Sequence, residues 1–302
     1  MEFSKGQVAV VTGAGSGIGL ALAERFARAG LNVVAADVQD DALASAEERI
    51  AAHGGEVLTR RCDVSKADDV AALAQATLDR FGGVHVVCNN AGVAPHSDPW
   101  FGPISTWEWV MGVNFWGVVH GCRAFLPHLV GGGGHIVNTA SIAGLYPGFS
   151  PAYDASKHAV VAISEGLFSM LQMAGLPVGV SVLCPGWVRT SIMDADRNWP
   201  DELGDKPDRA PMSAVVEPHV RRAIDEGATP AYIADSVADA VQAGRFWVIP
   251  QQEFLDLVVR RWDTIAERAD PSPSEQTPGM PPREQIMAEV MAALGLEAPA
   301  GG

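Results

Sequence analysis

Apolar and polar positions along this chain follow two rhythms that take turns. Short, nearly continuous apolar runs rich in valine are each followed by a longer stretch with apolar residues at helical spacing. The first run, Gln7 to Thr12 (QVAVVT), leads into a helical stretch that ends at Gly30. NVVAAD then reads as a second strand, with an alanine-rich helix from Asp41 to Ala52 behind it. EVLTRRCDV and ADDVAALAQATLDRFG make the third pair, and VHVVCNN is the fourth strand. One long helical region runs from about Ser105 to Val130 and is broken by Gly131 to Gly134. HIVNTAS is the fifth strand, a helix follows to about Gly175, and VGVSVLCPG is the sixth strand. A helix from about Pro230 to Ala243, a strand FWVIP and a helix from Glu253 to about Ala269 complete the series.

Strands that alternate with helices predict an α/β fold, a doubly wound and mainly seven-stranded parallel sheet with helices on both faces. Continuous rather than alternating apolar strands agree with burial on both sides. Residues 1–270 read as one domain of this kind. Two segments break the rhythm. Residues 191–229, rich in Pro, Asp and Arg, form a long insertion after the sixth strand, and such loops often serve as lids over a substrate. Residues 271–282 (PSPSEQTPGMPP) read as a linker, after which Ile286, Met287, Val290, Met291 and Leu294 make an apolar stripe at helical spacing. That amphipathic helix is expected to dock on its own body, with a subunit contact as the alternative.

Composition narrows the function. Of 302 residues 48 % are hydrophobic and 19 % charged, the balance of a globular protein able to bury a sizeable core. The formal net charge of −15 argues against nucleic acid, which is bound largely through lysine and arginine on phosphates. Four dispersed cysteines without a CxxC pair point to buried, reduced thiols. The eight histidines show no familiar ligand spacing, so no catalytic metal is expected. With neither a signal-peptide pattern nor an apolar run of about 20 residues, the expectation is a cytoplasmic protein off the membrane.

Two constellations carry chemistry. VVTGAGSGIGLAL places Gly13, Gly17 and Gly19 between the first strand and its helix, where a dinucleotide's pyrophosphate can meet backbone N–H groups at a helix N-terminus. About 20 residues on, Asp37 ends the second strand, where an acid can accept hydrogen bonds from adenosine ribose hydroxyls. A 2′-phosphate there meets like charge, and Ser16, Val38 and Gln39 nearby offer no cation, so NAD is favoured over NADP. A helix N-cap near Asp37 is the plainer reading. The second constellation is Tyr153 and Lys157, drawn from only three tyrosines in the chain and set four apart on a helix. That spacing puts their Cβ atoms about 5–6 Å apart on one face. An ammonium there can stabilise a tyrosinate, and a base nearer neutrality suits proton abstraction from an alcohol. A solvated face with a snorkelling lysine is the plainer alternative.

Thr12 with Gly13, Gly17 and Gly19, then CNNAG (Asn89 to Gly92), Asn114, Ser141, Tyr153-x-x-x-Lys157 and PGWVRT (Pro185 to Thr190) stand in a set order over about residues 5–250. Together they resemble the short-chain dehydrogenase/reductase family, in its NAD-dependent, shorter-chain oxidoreductase subgroup with a Rossmann-type fold. The resemblance implies that Tyr153 is the general acid/base and that Lys157 binds the nicotinamide ribose and favours tyrosinate. It implies that Ser141 bonds the substrate oxygen, and that Asn114 keeps a helix distortion holding a water in a proton relay. Gly13, Ser16, Gly17, Ile18 and Gly19 would line the pyrophosphate, and Asp63 and Val64 would bracket the adenine. Asn90 would steady the fourth strand beside the adenine, and Ala91 and Gly92 would bind the cofactor with it. Val188 and Thr190 would meet the nicotinamide carboxamide, with Pro185 and Gly186 also binding the cofactor. Relatives commonly form dimers or tetramers through the helices at about 105–130 and 152–175, where Ala155, Ala159, Ala162 and Gly166 permit close approach.

Eight tryptophans are many for this length. Trp100, Phe101, Trp107 and Trp109 follow the fourth strand, and Trp187, Ile192, Met193 and Trp199 open the insertion, so an apolar, aromatic lining is expected. That lining suits a bulky apolar or aromatic secondary alcohol or ketone. His96 and Asp98 read as surface-loop residues, with contact to a polar substrate group as the alternative. Two other functions share the motifs: a 3-oxoacyl carrier-protein reductase, weakened by Asp37, and a dinucleotide-binding sensor or scaffold without turnover.

Overall fold

The computed structural model describes residues 1–148, 150–271 and 276–295. Seven strands run parallel: β1 (Val8–Thr12), β2 (Asn32–Asp37), β3 (Val57–Arg61), β4 (Val86–Asn89), β5 (Gly134–Thr139), β6 (Val178–Leu183) and β7 (Trp247–Val248). Their order across the sheet is β3-β2-β1-β4-β5-β6-β7, the doubly wound Rossmann arrangement. The sequence reversal falls between β1 and β4, so the crevice for a ligand opens at the carboxyl ends of these two strands.

Both faces of the sheet are covered, which is why the strands are apolar throughout. On β1, Ala9 and Val11 face α1 (Gly17–Arg28) and α2 (Asp40–Ala51), with α8 (Pro230–Ala243) on the same side. Val8 and Val10 face α3 (Ala67–Phe81) and, further along, Phe125 and Leu129 of α5 (Gly117–Leu129) and Leu171 of α6 (Pro151–Met173). All five residues of β1 are buried. Cys62, Cys88 and Cys184 are buried and Cys122 nearly so, each a free thiol. Among the described residues no helix is long and apolar enough to cross a membrane.

Three features differ from the sequence reading. The region expected as one helix from 105 to 130 is α4 (Ser105–Met111) and α5 joined by a π-helical turn, Gly112–Trp116. The last strand pairs only at Trp247 and Val248. The insertion after β6 is built rather than loose. It holds 3-10 turns at Ile192–Asn198 and Asp201–Leu203 and then the 15-residue helix α7 (Pro211–Asp225). Pro211 sits in the first turn of α7, where its missing N–H costs nothing, while Pro218 lies inside and removes a hydrogen bond.

After α9 (Leu255–Glu267), residues 272–275 of the expected linker lie outside the described residues, as do 296–302 of the tail. Residues 276–282 lie against the body, and α10 (Arg283–Ala293) buries Ile286 and Val290 on α7 beside Val216 and Ala223. Of the expected stripe, Met287 and Leu294 are exposed.

Candidate active site

The carboxyl ends of β1, β4, β5 and β6 open into one cavity of about 940 Å³, walled on the far side by the insertion. Asn114 apart, every predicted site residue lines it.

At one end lies the glycine turn. Gly13 has φ +67°, and a Cβ built there would stand 2.8 Å from Ala91 Cα. A Cβ on Gly19 would fall 2.0 Å from the Gly13 carbonyl oxygen. Bare backbone therefore faces the cavity between β1 and α1, the surface a diphosphate needs. Ser16, Gly17 and Ile18 continue this rim, and Gly17 abuts Thr190 across the cleft. Thr12, whose role the sequence reading left open, fixes the turn to β4: its Oγ1 accepts from the N–H groups of Asn90 (2.9 Å) and Ala91 (3.1 Å). Asn90 returns a bond from Nδ2 to the Thr12 carbonyl (3.0 Å) and accepts one from Thr139 Oγ1 (3.3 Å), tying three strand ends together.

Asp37 is held in place rather than capping a helix. Its carboxylate accepts from Gly15 N–H (2.9 Å) and Gln39 N–H (3.1 Å), which leaves further lone pairs toward the cavity. Cations do reach this end, because Arg61 stands beside Asp37 in the β2–β3 register and Arg197 of the insertion donates to Gln39 Oε1 (3.3 Å). Sequence distance hid both. Asp63 is turned into its own loop, accepting from Ser65 N–H (3.0 Å) and Oγ (2.7 Å), while Val64 is buried at the cavity wall.

At the other end, α6 presents Tyr153 and Lys157 to the cavity. Lys157 is 3 % exposed; its Nζ donates to the Thr139 carbonyl (3.0 Å) and sits 5.5 Å from the centre of the Tyr153 ring. One of three ammonium donors is thus used. Burial pulls the Lys157 ammonium down to about 8. Burial also pushes the Tyr153 phenol up to about 12, with a hydrogen bond from Ser141 acting the other way and the Asp154 charge adding to the rise. The lysine over the ring does not outweigh that burial, so the protein alone holds the phenol protonated. Ser141 caps the 3-10 turn Ile142–Gly144 by accepting from Ala143 N–H (3.2 Å), and its hydroxyl donates to the Pro185 carbonyl (3.4 Å).

Asn114 stands behind the cavity, fully buried in the π turn. Its Oδ1 accepts from Val93 N–H (2.8 Å), and its Nδ2 donates to the Val93 carbonyl (3.0 Å) and Ser156 Oγ (3.1 Å). A Cβ on Gly92 would lie 3.4 Å from both Asn114 Oδ1 and Lys157 Nζ, so these groups crowd one spot. Pro185 to Thr190 form the remaining wall. Gln251, which the sequence offered no reason to single out, clamps it by accepting from Gly186 N–H (2.8 Å) and donating to the Trp187 carbonyl (2.7 Å).

His96 and Asp98 are not open surface-loop residues. His96 is buried and its Nε2 donates to the Met193 carbonyl (2.8 Å), while Asp98 accepts from the N–H groups of Trp100 and Phe101 (2.8 Å each) to close its own turn. Glu217 of α7 receives Arg209 and Arg221, with His96 Nδ1 at 3.7 Å, and so latches the insertion to the loop after β4. Trp109 and Trp199 pack edge to face at 5.2 Å, whereas Trp100 and Phe101 are 70 % and 94 % exposed and so are not the enclosed lining expected of them. Among the described residues no group of three or more His, Cys, Asp or Glu is placed to hold a metal ion.

Asp154, next to the tyrosine, yields a pH prediction. It accepts from Gly148 N–H (2.8 Å), and burial pushes its carboxyl up to about 6 against hydrogen bonds from Gly148 and Ser150. The native state therefore binds the extra proton between pH about 4 and 6, and stability falls as pH rises through that window. Asp154→Asn should remove this loss, on the order of 2–3 kcal/mol. Denaturant melts at pH 4.5 and pH 7.5 check it; an equal gap between variant and parent at both pH values would contradict it.

The family model for short chain dehydrogenases matches residues 7–201. The chain belongs to the short-chain dehydrogenase family. It is similar to 1-deoxy-11-beta-hydroxypentalenate dehydrogenase of Streptomyces avermitilis, with 46 % identity over 189 residues, 61 % of this chain and 69 % of that protein. It is also similar to 3beta-hydroxysteroid dehydrogenase 2 of Eggerthella lenta, 36 % identical over 195 residues, 62 % of this chain and 73 % of the other. Among solved structures, a short chain dehydrogenase/reductase from Burkholderia phymatum in complex with NAD superposes with a TM-score of 0.88 at 40 % identity. That match covers 92 % of this chain and all of the other. As a family member, the chain is an oxidoreductase of hydroxyl and ketone substrates.

Proposed function

We propose that this short-chain dehydrogenase interconverts a bulky apolar secondary alcohol and its ketone with NAD as the hydride carrier. The observation that carries the reading is the convergence of Ser141, Tyr153 and Lys157 on the same cavity as the bare glycine turn and Asp37. The residues fit a dinucleotide: Gly13 to Gly19 for the diphosphate, Asp37 for the adenosine ribose and a Lys157 donor for the other ribose. When bound, the oxidised cofactor takes the hydride and brings positive charge to the site.

Tyr153 exchanges the proton with the substrate oxygen, and Ser141 holds that oxygen by hydrogen bond. Positive charge beside the phenol opposes the effect of burial and moves Tyr153 toward use as a base. Lys157, close to its titration near pH 8, passes protons on. Asn114 fixes the π turn and the Val93 backbone behind this pair. The relatives named for hydroxypentalenate and hydroxysteroid support a hydroxylated substrate with a large carbon frame. We place 1–270 as the catalytic domain with 191–229 as its lid. A homo-oligomer is part of the proposal, since Ala155, Ala162, Gly166, Met170 and Met173 lie exposed along α6; sedimentation as a monomer would contradict it.

The cofactor choice is tested at Asp37. NAD⁺ should be used at least tenfold better than NADP⁺, and Asp37→Ser should erode that ratio by about tenfold, the worth of one buried like-charge contact. A parent enzyme that prefers NADP⁺ would favour the carrier-protein reductase reading, which Arg61 and Arg197 at that end also serve.

A further inference from the structure

We propose that the C-terminal segment, residues 276–295, completes the far wall that the insertion gives the substrate pocket, and that Met280 selects for a bulky, uncharged alcohol. The proposal rests on the reading of the site as a secondary-alcohol dehydrogenase and names the part of the chain that sets its substrate class.

Three independent contacts place the segment there. Met280 and Thr277 line the cavity that holds Tyr153 and Lys157. Met280 is 5 % exposed and packs in one apolar cluster with Val216, Ala223, Ile286 and Val290, against which Trp187, Val215 and Val220 also lean. Trp187 follows directly on the Pro185-Gly186 loop beside the catalytic pair. Its Nε1 donates to the Pro278 carbonyl (2.7 Å), so the tail fixes the plane of an indole that faces the substrate. Gly279 makes that approach feasible. Its φ is +77°, and a Cβ there would stand 3.0 Å from Trp187 Cδ1 and 3.1 Å from Nε1. Finally, α10 is anchored on α7 by Ile286, Val290 and the His219 Nε2–Glu289 Oε2 pair (2.6 Å).

The chemistry of the wall defines its ligand. Trp187, Val216, Val220, Ile224 and Met280 are apolar, and Thr277 is the segment's one polar contributor. Glu217, the charged residue that α7 adds to the cavity lining, is already taken up by Arg209, Arg221 and His96. A charged substrate body would lose its hydration here without a partner. An unbranched methionine adapts to the outline of a large hydrocarbon frame. The alcohol oxygen then lies at Tyr153 while the frame fills the space up to the tail. A small alcohol reaches Tyr153 without touching Met280.

The test compares 2-decalol with 2-butanol, and measures 2-decalone binding by calorimetry to the enzyme with NAD⁺, a pair that cannot react. Met280→Ser should weaken 2-decalone binding and raise the 2-decalol KM about tenfold, the worth of one buried methionine contact. The 2-decalol kcat should stay within about twofold, because the lost contact is made equally in the ground and transition states, and all constants for 2-butanol should too, because that alcohol does not touch Met280. Met280→Leu, of similar volume, should restore the parent values. Gly279→Ala should act in the same direction as Met280→Ser while NADH affinity is unchanged. Equal losses for both alcohols, no change for either, or 2-decalone binding no tighter than 2-butanone in the parent would each overturn the proposal. Met280-dependent binding of 2-decalone without turnover of either alcohol would leave the wall in place and refute the dehydrogenase reading instead.

Discussion

Tyr153→Phe should lower kcat/KM at least about 10³-fold, because it deletes the proton exchange and leaves the ring in the cavity wall. The hydroxyl is the sole group removed, and the phenol's structural bond is a single one with Ser141. NADH affinity should change by less than about twofold, since an interaction confined to the transition state affects kcat rather than binding. The melting temperature should hold or rise slightly, as the buried hydroxyl is lost with its desolvation cost. Stopped-flow turnover with fluorescence titration of NADH separates these effects. A variant that keeps more than a tenth of the parent's rate would remove Tyr153 from the chemistry and pass the role of base to another group.

Gly19→Ala carries the second large effect, through the cofactor. An added Cβ would fall 2.0 Å from the Gly13 carbonyl oxygen and 2.6 Å from Asn90 Nδ2. Asn90 belongs to the tie between β1 and β4, and the Gly13 carbonyl follows directly on Thr12 of that tie, so neither gives way without disturbing it. The turn must shift, and the N–H groups that face the diphosphate shift with it. NADH affinity should fall at least about thirtyfold, roughly the loss of one charge-assisted hydrogen bond. Gly54→Ala is the control: its φ is +84° with nothing within 4 Å of the added Cβ, so it pays backbone strain alone. Calorimetric titration of NADH into the two variants decides; equal affinity in both would mean that close backbone approach at Gly19 is not what binds the dinucleotide.

The features legible in the sequence are those written into local chemistry. Doubly covered strands must be apolar on every residue, and Val8 to Val11 say so directly. The glycines of the turn are legible because no other residue fits them, and Tyr153 and Lys157 because helix spacing alone brings them together. Features set by distant contacts were hidden. The π turn at Gly112–Trp116 sits where Asn114 bonds the Val93 backbone, twenty-one residues back in the chain. Helix α7 carries Pro218 in its interior and reads as loop until its partner α10 is seen. Arg197 reaches Gln39 from 158 residues away, and Gln251 clamps Gly186 from 65. His96 reads as a surface loop residue because its partners, Met193 and Glu217, come from the insertion.

The central claim is hydride transfer from a secondary carbinol to NAD⁺, and deuterium reports on it directly. The purified protein would be incubated with NAD⁺ and 2-decalol deuterated at the carbinol carbon, and the reduced cofactor analysed by mass spectrometry and NMR. The account predicts one deuterium per NADH, at C4 of the nicotinamide and on one face, with 2-decalone formed in equal amount and both lost in Tyr153→Phe. Tight NADH binding with no deuterium in the cofactor and no ketone would contradict it, and would make the protein a binder of the dinucleotide rather than a dehydrogenase.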